Sequence, residues 1–278
     1  MKKVLTSVLL ACAFITNANA QRTPEHPLDI KDATTDLADY FDSWQVGTPP
    51  PGVSTIDDQF YIGRQRPLKR IENSQYQENA TADPNRKFVM WTPLDDPTTK
   101  WRALPRYIFE GDNFSMWSYI DIHGNWTAPW FRATAGITDA AHKNGVNVGT
   151  NWSIPWNTYV TAFNSNGKKF QKLIEKDLSG NYKNAEKLVK LMKYYGVNGL
   201  GVNSEFNSNQ SFITQIMDFF KKCHEIGDQM DWDFDVYWYD GTDDSGTISF
   251  DQGLDAHNDK VFGSTDMLLP TITGAKEC

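Results

Sequence analysis

The stretch YKNAEKLVKLMKYYGVNGLGVNSEFN, Tyr182 to Asn207, changes its period halfway along, and that change sets the fold. Ala185, Leu188, Val189, Met192 and Tyr195 recur at three- and four-residue spacing, so they share one helical face, and Gly196 closes the helix. The residues that follow alternate: Leu200, Val202 and Ser204 point one way, Gly201, Asn203 and Glu205 the other, as in a strand. If Leu200, Val202 and Ser204 meet a helical layer, Gly201, Asn203 and Glu205 face the interior of the fold, with Glu205 near its mouth.

The same order recurs on both sides. TAGITDAAHKNG (134–145) has helical spacing and leads into VNVGTNWSI (146–154), and SFITQIMDFFKKCHEIG (211–227) precedes DFDVYWYDG (233–241). FVMWTPL (88–94), SMWSYIDIH (115–123) and DMLLPTI (266–272) read as further strands. Strands alternating with helices imply right-handed crossovers and a parallel sheet. No glycine-rich phosphate loop follows any of them, so a nucleotide-binding sheet lacks its signature.

A (β/α)8 TIM-type barrel fits better, because WTP, NWSIPW, NSEFN and WYDG cluster aromatic and polar groups at strand ends, where barrels assemble their sites. Only six strands are recognisable, and GAKEC follows the last of them closely. The expectation is therefore an α/β barrel over residues 87–278, incomplete at its C-terminus. Residues 21–86, with VGTPPPGVSTID, read as an N-terminal extension of loops.

Residues 1–20 combine two lysines, an apolar core and a small-residue Ala18-Asn19-Ala20 site before Gln21, the pattern of a secretory signal peptide. A secreted or periplasmic protein starting at Gln21 is expected; Leu9-Leu10-Ala11-Cys12 offers lipoprotein processing at Cys12 as the alternative. No later run is apolar enough for a transmembrane segment. The net charge of −8 and pI near 5.1 argue against nucleic acid as a partner. Beyond the leader only Cys223 and Cys278 remain, a possible pair but no metal-type spacing, and five scattered histidines form no ligand cluster; neither metal nor cofactor is expected. Oligomeric state is not legible.

Aromatics make up 13% of the chain, including ten tryptophans. Such rings suit either a carbohydrate site or a large core. Glu205 near a strand end suits a general acid, since burial raises a carboxyl's pKa. A usual glycosidase places a second carboxylate beside it, yet the position two residues earlier is the amide of Asn203. One chemistry tolerates this: a substrate whose 2-acetamido group supplies its own nucleophile needs the protein only to orient that group.

The segment Asn198-Gly199-Leu200-Gly201-Val202-Asn203-Ser204-Glu205 resembles the catalytic strand of glycoside hydrolase family 85, the endo-β-N-acetylglucosaminidases. NFSMWSYIDI, ITDAAHKNGVNVGTNW and VYWYDGTDDSGTISFDQGLDAHN resemble further family segments in the same order, from about residue 88 to 270. The resemblance implies hydrolysis of the chitobiose core of N-linked glycans with retention, through an oxazolinium intermediate. It makes Glu205 the general acid/base and Asn203 the residue orienting the acetamido group, with Tyr239 matching a tyrosine that also contacts that group. Trp238, Phe250, Trp152 and Asn207 are the expected sugar-contacting residues. Asn198 stands where the family has Asp, Phe250 where it has Trp, and MWTPLDD replaces a first strand containing His and Asp. The competing readings are a non-catalytic glycan-binding remnant and a chitinase-like family 18 hydrolase. Against the latter, the three aspartates of the Asp-x-x-Asp-x-Asp-x-Glu signature are Asn198, Gly201 and Asn203 here.

Overall fold

The computed structural model describes residues 45–49, 55–69, 87–92, 116–125, 133, 135–153, 173–239, 241–249 and 255–269. Their elements are α1 (Thr55–Asp58), β1 (Val89–Thr92), β2 (Ile122–Asn125), α2 (Ala135–Lys143), β3 (Asn147–Ser153), α3 (Ala185–Tyr195), β4 (Gly199–Asn203), α4 (Gln210–Gln229), β5 (Asp235–Tyr239), α5 (Asn258–Phe262) and β6 (Met267–Leu269). The six strands form one sheet in the order β1-β2-β3-β4-β5-β6, and every neighbouring pair is parallel. Sequential order with all strands parallel is the winding of a β/α barrel, and these residues form six consecutive strands of an incomplete (β/α)8 barrel.

Local chemistry explains the helix ends. Gly196 takes the left-handed conformation (φ 81°) and its N–H reaches the carbonyls of Met192 and Lys193, turning the chain sharply from α3 toward β4. At the start of α4 the Asn209 side chain accepts from the amide of Phe212 at 2.9 Å. The second strand differs from the sequence expectation. Trp117–Tyr119 form a 3-10 turn, closed by the Tyr119 amide on the Met116 carbonyl, and pairing begins only at Ile122.

Two layers follow from the alternation. Leu200, Val202, Val236, Trp152 and Trp238 point outward and pack with Leu188, Val189, Met192, Phe219 and Phe220 of α3 and α4 into the main core. Cys223 lies in this core as a free, buried thiol; Cys278 lies outside the described residues. Several inward positions of β2, β3 and β4 are glycines instead. A methyl group on Gly124, Gly149 or Gly201 would run into the Trp91 ring, and one on Gly199 would run into Tyr237. The Trp91 and Tyr237 rings meet edge to face at 5.6 Å between centroids. Two aromatics from β1 and β5 thus fill the interior that the glycines leave open.

Residues 55–69 lie in the stretch read from sequence as a loop extension, and they pack against the barrel. Tyr61 is buried in the main core, and Asp58 accepts from the Tyr195 hydroxyl at 3.0 Å. The amides of Arg64 and Gln65 both donate to Asp139 of α2, and the Leu68 amide donates to the His142 carbonyl. This strap covers the C-terminal ends of α2 and α3, at the foot of the barrel.

Because Trp91 occupies the space over three glycines, Gly124→Ala should destabilise the protein by about 1–3 kcal/mol, the usual cost of overpacking. Adding Trp91→Leu should restore part of that loss, a non-additivity expected only of residues in contact. Urea unfolding of the two single variants and the double variant checks this.

Candidate functional site

The C-terminal ends of β4 and β5 meet at one rim. The register that pairs Val202 with Trp238 sets Asn203 beside Tyr239, both half-buried and both on the inward side. Glu205 follows two residues beyond Asn203 on the same side, also half-buried. Burial raises its carboxyl above the ordinary range, and a hydrogen bond from the Asn203 side chain pulls in the opposite direction without cancelling the effect. The amide of Asn203 donates in that bond, while its Oδ1 is buried with no hydrogen-bond partner. A buried acceptor is costly to leave without a hydrogen-bond partner.

The backbone that carries Glu205 is clamped from the β5 side. The Thr242 hydroxyl meets the Ser204 carbonyl, the Phe206 carbonyl at 2.6 Å and the Phe206 amide at 3.2 Å, so one side chain grips the residue before Glu205 and the residue after it. Ser204 Oγ donates in turn to the Tyr239 carbonyl. Gly241 sits so close that a methyl group there would come within 2.8 Å of the Ser204 carbonyl oxygen and 3.4 Å of Glu205 Cγ. Farther along, the Asn207 side chain accepts from the Ile248 amide at 3.1 Å and the Ser208 amide donates to Gly246 at 2.6 Å. Residues 241–249 form their own hairpin, with Thr242 bridged to Ile248 and Asp243 Oδ1 accepting from the amides of Ser245 and Thr247.

The residues expected from sequence divide into three groups. Asn203, Glu205 and Tyr239 lie together at the rim. Asn207 is close by, but its side-chain carbonyl ties two loops together. Trp152 and Trp238 correct the expectation: both are fully buried on the outer face, where each stacks edge to face on Phe220, and the Trp238 indole donates to the Thr242 carbonyl at 2.9 Å. They are core residues and offer no platform to a sugar. Their strand positions match outward-facing neighbours, Trp152 pairing with Val202 and Val202 with Trp238. Phe250 lies outside the described residues.

Sequence reasoning passed over Trp91 and Thr242. The signal for Trp91 was Gly199 and Gly201 alternating in NGLGVN with Gly149 in VNVGTN beside them, which leaves room for a large ring from a neighbouring strand. No local pattern marks Thr242. Among the described residues no group of three or more His, Cys, Asp or Glu side chains is arranged to hold a metal.

The chain matches Glycosyl hydrolase family 85 over residues 104–270. No curated protein matches it. Among solved structures it resembles the glycoside hydrolase domain of Spr0440, Endo-D, from Streptococcus pneumoniae R6, with a TM-score of 0.65 and 20% identity. The similarity covers 85% of this chain and 34% of that one, so this chain spans about a third of that protein's length.

Two outcomes test the site as built. Thr242→Val should cost about 1–3 kcal/mol, because the Phe206 amide loses its buried partner, whereas Thr242→Ser should recover most of it; urea melts of both variants decide. Glu205 has a folded-state pKa above its unfolded one, so the folded state binds the extra proton between the two values. Its contribution is present below the unfolded pKa and is lost as pH rises through the folded pKa. Glu205→Gln should remove that decline, leaving the variant more stable relative to the parent at pH 8 than at pH 4 in paired thermal melts.

Proposed function

Since this chain belongs to glycosyl hydrolase family 85, we propose that it hydrolyses the GlcNAc-β1,4-GlcNAc bond in the chitobiose core of N-linked glycans, as an endo-β-N-acetylglucosaminidase. The observation that carries this reading is the Asn203–Glu205 pair at the end of β4: one carboxyl with a raised pKa beside an amide whose Oδ1 is buried and unpartnered. The proposed roles are those expected from the sequence. Protonated Glu205 gives its proton to the departing GlcNAc oxygen as the substrate's acetamido oxygen closes on C1. Asn203 Oδ1 accepts the acetamido N–H, and Tyr239 contacts the same group. The product of this step is an oxazolinium. Glu205, now a carboxylate, takes a proton from the water that opens it, and two inversions at C1 amount to retention. The carboxyl's environment suits this cycle, since a general acid must still hold its proton near working pH.

The match to this family, together with the missing aspartates, sets the chitinase-like alternative aside. The reading extends to export: the leader ending at Ala20 is removed, and the mature protein starts at Gln21 without lipid at Cys12. Intact mass of the exported form tests that point.

Incubation with an N-glycoprotein should leave a single GlcNAc on asparagine, detected by mass spectrometry. Glu205→Gln should lower hydrolysis by about 10²–10⁴-fold, the usual value of general acid catalysis. Asn203→Ala should cripple hydrolysis too, but it should retain much of its transfer from a preformed sugar oxazoline to a GlcNAc acceptor. Glu205→Gln should lose that transfer, because an amide cannot deprotonate the acceptor. Hydrolysis at the parent rate by both variants would overturn the assignment. A parent that binds glycans without turnover would instead make the chain a binding remnant.

A further inference from the structure

The foot of the barrel carries a concavity of its own, formed where residues 62–66 of the N-terminal strap lie along the last turns of α3. Its volume is about 420 Å³, within the range of small-molecule pockets. Arg64 and Arg66 line it from the strap, Lys190 and Lys193 from α3, and no acid is among its described lining residues. Four cations around one small space are unexpected on a chain of net charge −8. Lysines in the last turns of a helix have an ordinary explanation, since they complement the helix dipole. That explanation does not reach Arg64 and Arg66, which come from a separate segment.

Asp58 and Asp139 lie nearby and keep their charge, Asp58 acting on Tyr194, but neither forms an ion pair with the cluster. Among the described residues only Lys190 of the four has a carboxylate partner, the exposed Glu186 at 2.5 Å. Arg64 donates to the neutral Gln59, and Lys193 donates to the Met230 carbonyl. The Arg66 guanidinium and the Lys193 ammonium lie 5.1 and 5.7 Å from the centroid of the Trp232 ring, which steadies both without removing their charge. The strap itself is pinned, because the Gly63 amide donates to the Tyr195 carbonyl. Ile62, Val46 and Tyr194 supply a partly apolar wall beside the charges.

We propose that this pocket binds a phosphate or sulfate ester of a ring-sized organic molecule, the tetrahedral oxyanion among Arg64, Arg66, Lys190 and Lys193 and the ring against Ile62 and Tyr194. Guanidinium forks and ammonium groups are the donors suited to such an anion. The site lies at the N-terminal ends of the strands, whereas Glu205 follows the C-terminal end of β4, so ligand here leaves the rim open.

Calorimetry on the full chain at low salt, with glucose 6-phosphate, glucose 6-sulfate and glucose as probes, tests the proposal. At least one ester should bind saturably, with affinity falling as sodium chloride is added, while glucose gives no heat. The ester that binds more tightly identifies the natural oxyanion. Arg64→Ala/Lys190→Ala should weaken ester binding by roughly tenfold or more, because two charge-assisted contacts are lost. These positions are chosen because both are exposed, whereas Arg66 and Lys193 also pack on Trp232. If the double variant melts earlier than the parent, Lys190→Gln, which keeps most of the stem, replaces it and should still lose several-fold. Absence of saturable binding by either ester, or equal affinity in parent and folded variants, would overturn the proposal.

Discussion

The interior bounded by the six described strands is organised by a steric constraint. Three neighbouring strands place glycine where other strands would place a side chain, and the Trp91 ring lies across all three. Strand pairing aligns Trp91 with Gly124, and the ladder continues to Gly149 and Gly199. Tyr237 completes the layer from the far side, its hydroxyl donating to Asp235 at 2.9 Å. Neither ring can be exchanged for a small residue without a cavity, and none of these glycines can gain a methyl without overlap. The floor under Asn203 is therefore rigid, which a polar group held at a fixed position requires.

From that floor upward, the site is built by two loops gripping each other. Glu205 lies past the end of β4, where no ladder hydrogen bond holds it. Its position is borrowed from β5 through Thr242, Ser204 and Gly241. Partial burial then sets the electrostatics, raising the carboxyl's pKa while the Asn203 amide restrains the rise. The opposite end of the barrel has a different character. There the strap from residues 55–69 closes the helix ends by hydrogen bonds to Asp139, His142 and Tyr195, and in doing so brings its two arginines to the lysines of α3.

Much of this was legible in the sequence. Five of the six strands appear where alternation placed them, and the helices closed by Gly145 and Gly196 end there because both glycines take positive φ. The alternation in NGLGVN was also correct within its own strand: Leu200 and Val202 pack on the helices, and Gly201 faces the Trp91 ring. The second strand was misplaced because residues 116–119 satisfy their backbone in a turn, and Asp121 bonds to Phe88 before the ladder begins.

The chain by itself determined the type of most elements, the winding of the barrel, and the sidedness of β4, because these depend on periods of 2 and 3.6 that a short stretch displays in full. It did not determine which side of β3 and β5 faces inward. That depends on register between strands more than thirty residues apart, and a one-residue difference moves every side chain to the other face. Trp152 and Trp238, read as sugar platforms from their place at strand ends, are core residues for that reason alone. Tertiary structure likewise decided that Thr242 holds the Glu205 loop and that Arg64 meets Lys190. Contacts of this kind leave no periodic trace, since each half is an ordinary polar residue until the fold brings the other half to it.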